Sequence, residues 1–238
     1  MEKEKDKKNF YSIRREPILL KIIGIDLSGP ANHKDTVLTV FQLHNDKLEF
    51  EGMVDGASDE MIISRIEAEA LGDEVVIGID APLSYQDGGG DRLQDKSIRE
   101  FIKGHGMSGS SIMPPTLTKM VYLTLRGIGI TRRINSINTS HDIKIVDVHP
   151  GAAIGTRIGS SGLPHVLQYK KDRQARLEIF TWFENIGLKS LPEEIIESTH
   201  MMDATAAAIA AWYWADPAKQ PTWHWKTISP QHPFEFCC

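Results

Sequence analysis

The tetrapeptide Ile-Gly-Ile-Asp occurs twice, as Ile23–Asp26 and as Ile77–Asp80, and each copy closes a short apolar run. Lys21 to Ile25 and Val75 to Ile79 are near-continuous and β-branched, the pattern of strands buried on both faces. A third run, Ile143 to Val146, ends at Asp147. An aspartate after one strand ordinarily starts a turn or caps a helix. Three buried strands that each deliver a carboxylate point instead to a site, because ligands bind at the C-terminal ends of parallel strands. Side chains alternate along a strand, so Gly24 and Gly78 lie on the same face as the aspartates two residues later. They leave room there for a metal ion or for a closely packed helix.

The segments between these strands set the topology. Thr36 to Leu43 and Lys47 to Val54 read as a hairpin around His44-Asn45-Asp46, so the first three strands form an antiparallel meander. Ser58 caps a helix reaching about Leu71, with Ile62, Ile63, Ile66 and Ala70 as its apolar stripe and Gly72 as its end. That helix is a crossover, which makes the strand ending at Asp80 parallel to the first. Ala81 to Pro115 is rich in Gly, Ser and Pro, with a helix near Leu93 to Lys103, and a further helix is expected over Pro115 to Arg133. After the Asp147 strand come a helix near Lys171 to Ile186 and an alanine-rich helix around Met201 to Trp214. Right-handed crossovers then give an α/β fold whose mixed five-stranded sheet, order 3-2-1-4-5, is flanked by helices. Neighbouring strands lie about 4.8 Å apart, so the carboxylates of Asp26, Asp80 and Asp147 are expected to converge. Asp203 opens the alanine-rich helix and adds a fourth, with Ser198 and Thr199 upstream as the better caps.

Bulk properties narrow the function. The formal net charge of -5 argues against coating nucleic acid by bulk electrostatics, while leaving room for a local basic track. Both cysteines are the last two residues, Cys237 and Cys238, which leaves no internal disulfide framework or cysteine zinc site and fits a reducing, cytoplasmic compartment. That pair reads as an exposed end. No run is long and apolar enough for a membrane span.

The Asp26 strand with its hairpin, Ile79-Asp80-Ala81-Pro82-Leu83-Ser84, Asp91-Arg92, Asp147-Val148-His149-Pro150-Gly151-Ala152, Tyr169-Lys170 and Asp203-Ala204 together resemble domain-of-unknown-function family 429. The resemblance runs from about Lys21 to Trp214 and implies a ribonuclease H-like fold and nuclease activity. One departure is that Asp147 and His149 stand in Asp-Val-His-Pro-Gly-Ala where members usually carry Glu-Val-Tyr-Pro-Gly-Ala, which shortens that carboxylate's reach. On this reading residues 1–16 are a charged tail, 17–216 a ribonuclease H-like domain with a helical excursion over about 85–135, and 217–238 a C-terminal extension.

Hard oxygen ligands suit Mg²⁺ or Mn²⁺. Two ions about 3.5–4 Å apart can hold a phosphodiester of DNA or RNA, generate hydroxide and stabilise the leaving oxygen. Asp26, on the central strand, is expected to bridge both ions, with Asp80 and Asp203 completing the shells and Asp147 assisting directly or through water. Arg92 is a candidate for phosphate, with an Arg–Asp pair pinning the loop as the alternative. Lys119 and Lys170 are the better phosphate candidates, and Lys171, Arg173 and Arg176 form a track or a solvated helix face. His149 is a ligand or proton shuttle, or a hydrogen-bonded structural residue. Trp212, Trp214, Trp223 and Trp225 stack on bases or pack the C-terminal extension. Two other functions fit the same sheet. One is an ATP-dependent phosphotransferase of the actin/sugar-kinase type, for which Ser28-Gly29 is a faint phosphate loop and the chain is short. The other is a non-catalytic binding module.

Overall fold

In the computed structural model, which describes residues 19–238, the β-branched runs form the centre of one sheet. The expected tail, residues 1–16, lies outside the described residues. Strands β1 (Leu20–Asp26) and β4 (Glu74–Asp80) pair in parallel, with Gly24 opposite Gly78 and Asp26 opposite Asp80. The meander forms through β2 (Val37–His44) and β3 (Lys47–Asp55). Its turn lacks a glycine, yet Asn45 and Asp46 supply the two positive φ angles, 46° and 59°, that a tight hairpin requires. Helix α1 (Asp59–Ala70) crosses to β4, and the Ser58 side chain accepts from Met61 N at its start.

Beyond β4 come α2 (Leu93–Gly104), a short 3-10 turn at Gly109–Ser111, α3 (Val121–Ile134) and β5 (Ile143–Val148). Then follow α4 (Pro150–Gly155), α5 (Leu163–Gln168), α6 (Arg173–Asn185), β6 (Leu188–Lys189), α7 (Thr199–Ala215), β7 (His224–Trp225) and β8 (Glu235–Cys237). The expected helix from Pro115 begins only at Val121, because residues 115–120 make turns instead.

The sheet has eight strands rather than five, in the order β6-β3-β2-β1-β4-β5-β8-β7. The meander and crossover neighbours sit as expected, and two-residue to three-residue strands extend both edges. Such short strands carry too little pattern to be read from sequence. The segment 217–238 is therefore part of the sheet: β8 pairs in parallel with β5. Cys237 and Cys238 are buried rather than an exposed end, as the penultimate residue completes β8 and both join the core. Trp223 stacks on Trp225 and meets Phe236 edge-on, so these tryptophans pack the extension, and Trp212 is fully buried.

Helices cover both faces. Ile23, Ile25, Val75, Ile77 and Ile79 pack toward α1 and α3. The opposite face carries Ile22, Val76, Val146 and Val148 beneath α7, which is apolar on nearly every side, as a central helix must be. Gly24 and Gly78 admit α7 rather than an ion. A Cβ on Gly78 would fall 2.5 Å from Ala207 O, and one on Gly24 would overlap Ala204 O and Ala208 N. No helix among the described residues is long and apolar enough to cross a membrane.

Candidate active site

The glycine-to-alanine contact brings the first turns of α7 over the ends of β1 and β4. Asp26 and Asp80 follow their glycines by two residues, so both carboxylates rise on the α7 side. Asp203 sits one turn into α7 and is 2% exposed, while Ser198 accepts from His200 N and Met201 N and caps the helix. Three carboxylates from three elements thus share one face. Burial is the main force on Asp26, lifting its pKa to about 6, with the hydrogen bond to His200 opposing and the charge of Asp203 adding. Asp80 is raised well above the usual carboxylate value, first by burial and then by Asp26 and Asp203. No hydrogen bond supports its carboxylate among the described residues.

Two side chains supply partial counter-charge and a third a neutral hydrogen bond. Lys170 Nζ pairs with Asp203 Oδ2, and Tyr169 OH donates to Asp203 Oδ1 at 2.6 Å. Burial alone would lower the Lys170 pKa, but the three carboxylates, Asp203 foremost, raise it. His200 Nδ1 lies 2.7 Å from Asp26 Oδ2, which raises the imidazole pKa through that hydrogen bond. His200 is absent from the sequence reading, although it precedes Asp203 by three residues and so shares its helix face.

Asp147 belongs to a different arrangement. The β4–β5 register pairs it with Ile79, so by alternation it points away from the face of Asp80. The expected convergence of all four aspartates therefore holds for three. Asp147 Oδ2 accepts from Arg92 Nη1 at 2.8 Å, and Arg92 also binds Asp95, whose Oδ2 accepts from Arg92 N to cap α2. Arg92 is 3% exposed and lies over the Phe236 ring. It pins the loop, and with Asp95 and Asp147 it also lines the cavity beside the other carboxylates. Burial lifts the Asp147 pKa to about 6 against the pull of Arg92. Asp91 pairs with Arg99 instead, at 2.6 Å.

The remaining candidates divide similarly. His149 is structural: Nδ1 accepts from Ala152 N, Nε2 meets Ser111 Oγ, and burial lowers its pKa to about 4, so it is neutral. Lys119 is exposed and does not line the cavity beside the carboxylates. Arg173 pairs with Glu197, and Arg176 donates to the carbonyls of Ile196 and Tyr169. Of the expected cations Lys170 and Arg92 line the cavity, and Arg92 is taken up by Asp95 and Asp147. Buried Arg126 of α3 fixes the turn after Asp26 by donating to Ser28 O, Thr36 Oγ1, Ala57 O and Asp59.

A half-open cavity of about 590 Å³ is lined by Asp26, Asp80, Asp203 and Lys170, and also by Asp147, Arg92 and Asp95. Ile112 and Met113 beyond α2, Met120 and Leu123 around the start of α3, and Leu167 of α5 contribute its apolar lining. As the side chains stand, no group of three or more His, Cys, Asp or Glu among the described residues is disposed to hold a metal ion. No curated protein and no solved structure matches the chain. The motif order along this sheet, from the Asp26 strand to α7, is matched by one family model over residues 24–221, most of the chain, and the protein belongs to that family, described as "Protein of unknown function (DUF429)".

Proposed function

We propose that the protein is a divalent-metal-dependent phosphodiesterase on a ribonuclease H-like α/β fold, acting on nucleic-acid phosphodiesters. The observation that carries this reading is the surplus of negative charge on the α7 face. Three carboxylates meet there against one lysine and one histidine, and Asp80 has no hydrogen-bonding partner among the described residues.

The donor chemistry fits Mg²⁺ or Mn²⁺, because hard oxygen ligands from rigid elements are what such ions take. The Lys170 ammonium is an internal stand-in for the ion, held by the carboxylate that would otherwise bind it, and must swing off Asp203 to open the shell. Asp26, Asp80 and Asp203 would hold one or two ions, and such an ion supplies activated water and charge neutralisation at phosphate. Asp147 serves as a positioning residue through Arg92. His200 holds the Asp26 carboxylate in one orientation, and Lys170, once released, faces a phosphate oxygen. The phosphotransferase alternative loses its phosphate loop, since Ser28 Oγ is engaged by Thr36 Oγ1 and Asn32 O.

The test is hydrolysis of single-stranded DNA, duplex DNA and RNA by the full chain with Mn²⁺. The wild type is expected to cleave at least one, and Asp80→Asn to lose roughly 10²–10³ of the rate, the scale of removing one preorganised charge-stabilising group. No cleavage of these polymers or of a nucleotide-sized diester, or equal cleavage by Asp80→Asn, overturns the proposal.

A further inference from the structure

The walls of the cavity and the state of each nearby cation bear on what size of substrate enters. A polynucleotide held along a track needs several free cations to displace its counterions. Here Arg92 is closed in by Asp95 and Asp147, Arg173 by Glu197, and Arg176 by two carbonyl groups. Lys119 is exposed and does not line the cavity. His149 is neutral. Lys170, paired with Asp203 but half exposed, is the least enclosed cation lining the cavity, and exposed Lys171 beside it does not line it, which suits one phosphate and not a row of them.

The cavity lining is mixed: the carboxylates, Lys170, Arg92 and three serines are polar, and Ile112, Met113, Met120, Leu123 and Leu167 are apolar. Its volume of about 590 Å³ lies within the range of small-molecule pockets, roughly 300–1,000 Å³. Methionine side chains adapt to a flat group and make favourable sulfur–aromatic contacts. Leu167 is 51% exposed at the rim, an apolar residue left facing solvent beside an acidic site.

We propose that this cavity takes a single nucleotide-sized phosphate ester, its phosphate toward Lys170 and the carboxylates and its base against the methionine wall. The inference rests on the phosphodiesterase reading and narrows it: the substrate is a one-unit diester, not a length of duplex.

The experiment uses the full chain with two probes. Thymidine 5′-monophosphate is titrated by calorimetry in Mg²⁺, and thymidine 5′-(p-nitrophenyl phosphate) is assayed with Mn²⁺ beside a 30-base-pair duplex. Met113→Trp fills the wall, and Met120→Trp repeats the test should the first variant fail to fold. The expected result is nucleotide binding weakened at least tenfold by either substitution, with the small diester cleaved at a higher kcat/KM than the duplex. Preferential cleavage of the duplex, absence of nucleotide binding, or binding unchanged within twofold in both variants overturns the inference. Should the nucleotide bind with that sensitivity while no diester is cleaved, the cavity assignment stands and the phosphodiesterase reading falls.

Discussion

Neighbouring strands β4 and β5 each bring an aspartate to the same rim of the sheet, with opposite surroundings. Asp147 meets Arg92, which also holds Asp95, and the positive charge opposes what burial does to the carboxylate. Asp80 meets Asp26 and Asp203, whose charges add to burial, with Lys170 opposing and Asp147 adding the smallest push. One position in register separates the two, since Asp147 pairs with Ile79 and not with Asp80. A buried carboxylate closed by a guanidinium ties the excursion to the sheet. A half-buried carboxylate left among others repels them until a cation or a proton arrives. The contrast separates structure from site more sharply than the presence of an aspartate does.

The largest expected effect breaks the closed side. Arg92→Ala leaves Asp147 and Asp95 buried without their counter-charge, and removing one partner of a buried pair costs about 3–5 kcal/mol. Chemical denaturation measures this directly. A loss below about 1 kcal/mol would mean that the two aspartates find other partners and that the contrast is weaker than drawn.

A smaller effect of opposite sign is expected on the open side. Asp80→Asn removes a repelling carboxylate and is expected to stabilise the ion-free protein at pH 7 by about 1 kcal/mol, roughly 2–4 °C for a domain of this size. The pH dependence follows from the direction of the shifts. Asp26 titrates near 6 in the folded chain against an ordinary value of 3.8, so the native state holds its proton more tightly than the unfolded chain. Stability from this face is complete below about pH 4 and declines as pH rises through 6. The gain from Asp80→Asn should therefore shrink toward pH 4, as scanning calorimetry at several pH values will report. A gain that is constant with pH would point to packing and not to charge.

Much of this arrangement was legible in the chain. The paired Ile-Gly-Ile-Asp runs announced parallel neighbours with space on one face, and the alanines of α7 announced what fills it. The face of Asp147 was not legible, because it depends on a one-residue register between β4 and β5 that no local pattern records. The same limit hid β6, β7 and β8, too short for periodicity, and with them the burial of Cys237 and Cys238. Arg92 read either as a phosphate ligand or as half of an Arg–Asp pair pinning the loop, and the pairing is what forms, with Asp95 and Asp147 and not with Asp91. The burial of Arg92 follows from Asp95 three residues on and Asp147 in another strand, a long-range contact outside any local window. His200 was within reach, one helical turn before Asp203, had the helix face been read for imidazoles as well as for alanines.

The central claim is that Asp26, Asp80 and Asp203 together form a site for divalent cations. Titration of Mn²⁺ into the full chain at pH 7, followed by loss of the free-ion paramagnetic resonance signal, tests it most directly. One or two ions are expected to bind the wild type and none to bind the Asp26→Asn/Asp80→Asn double variant. Equal binding by both proteins, or no binding by either, would contradict the account.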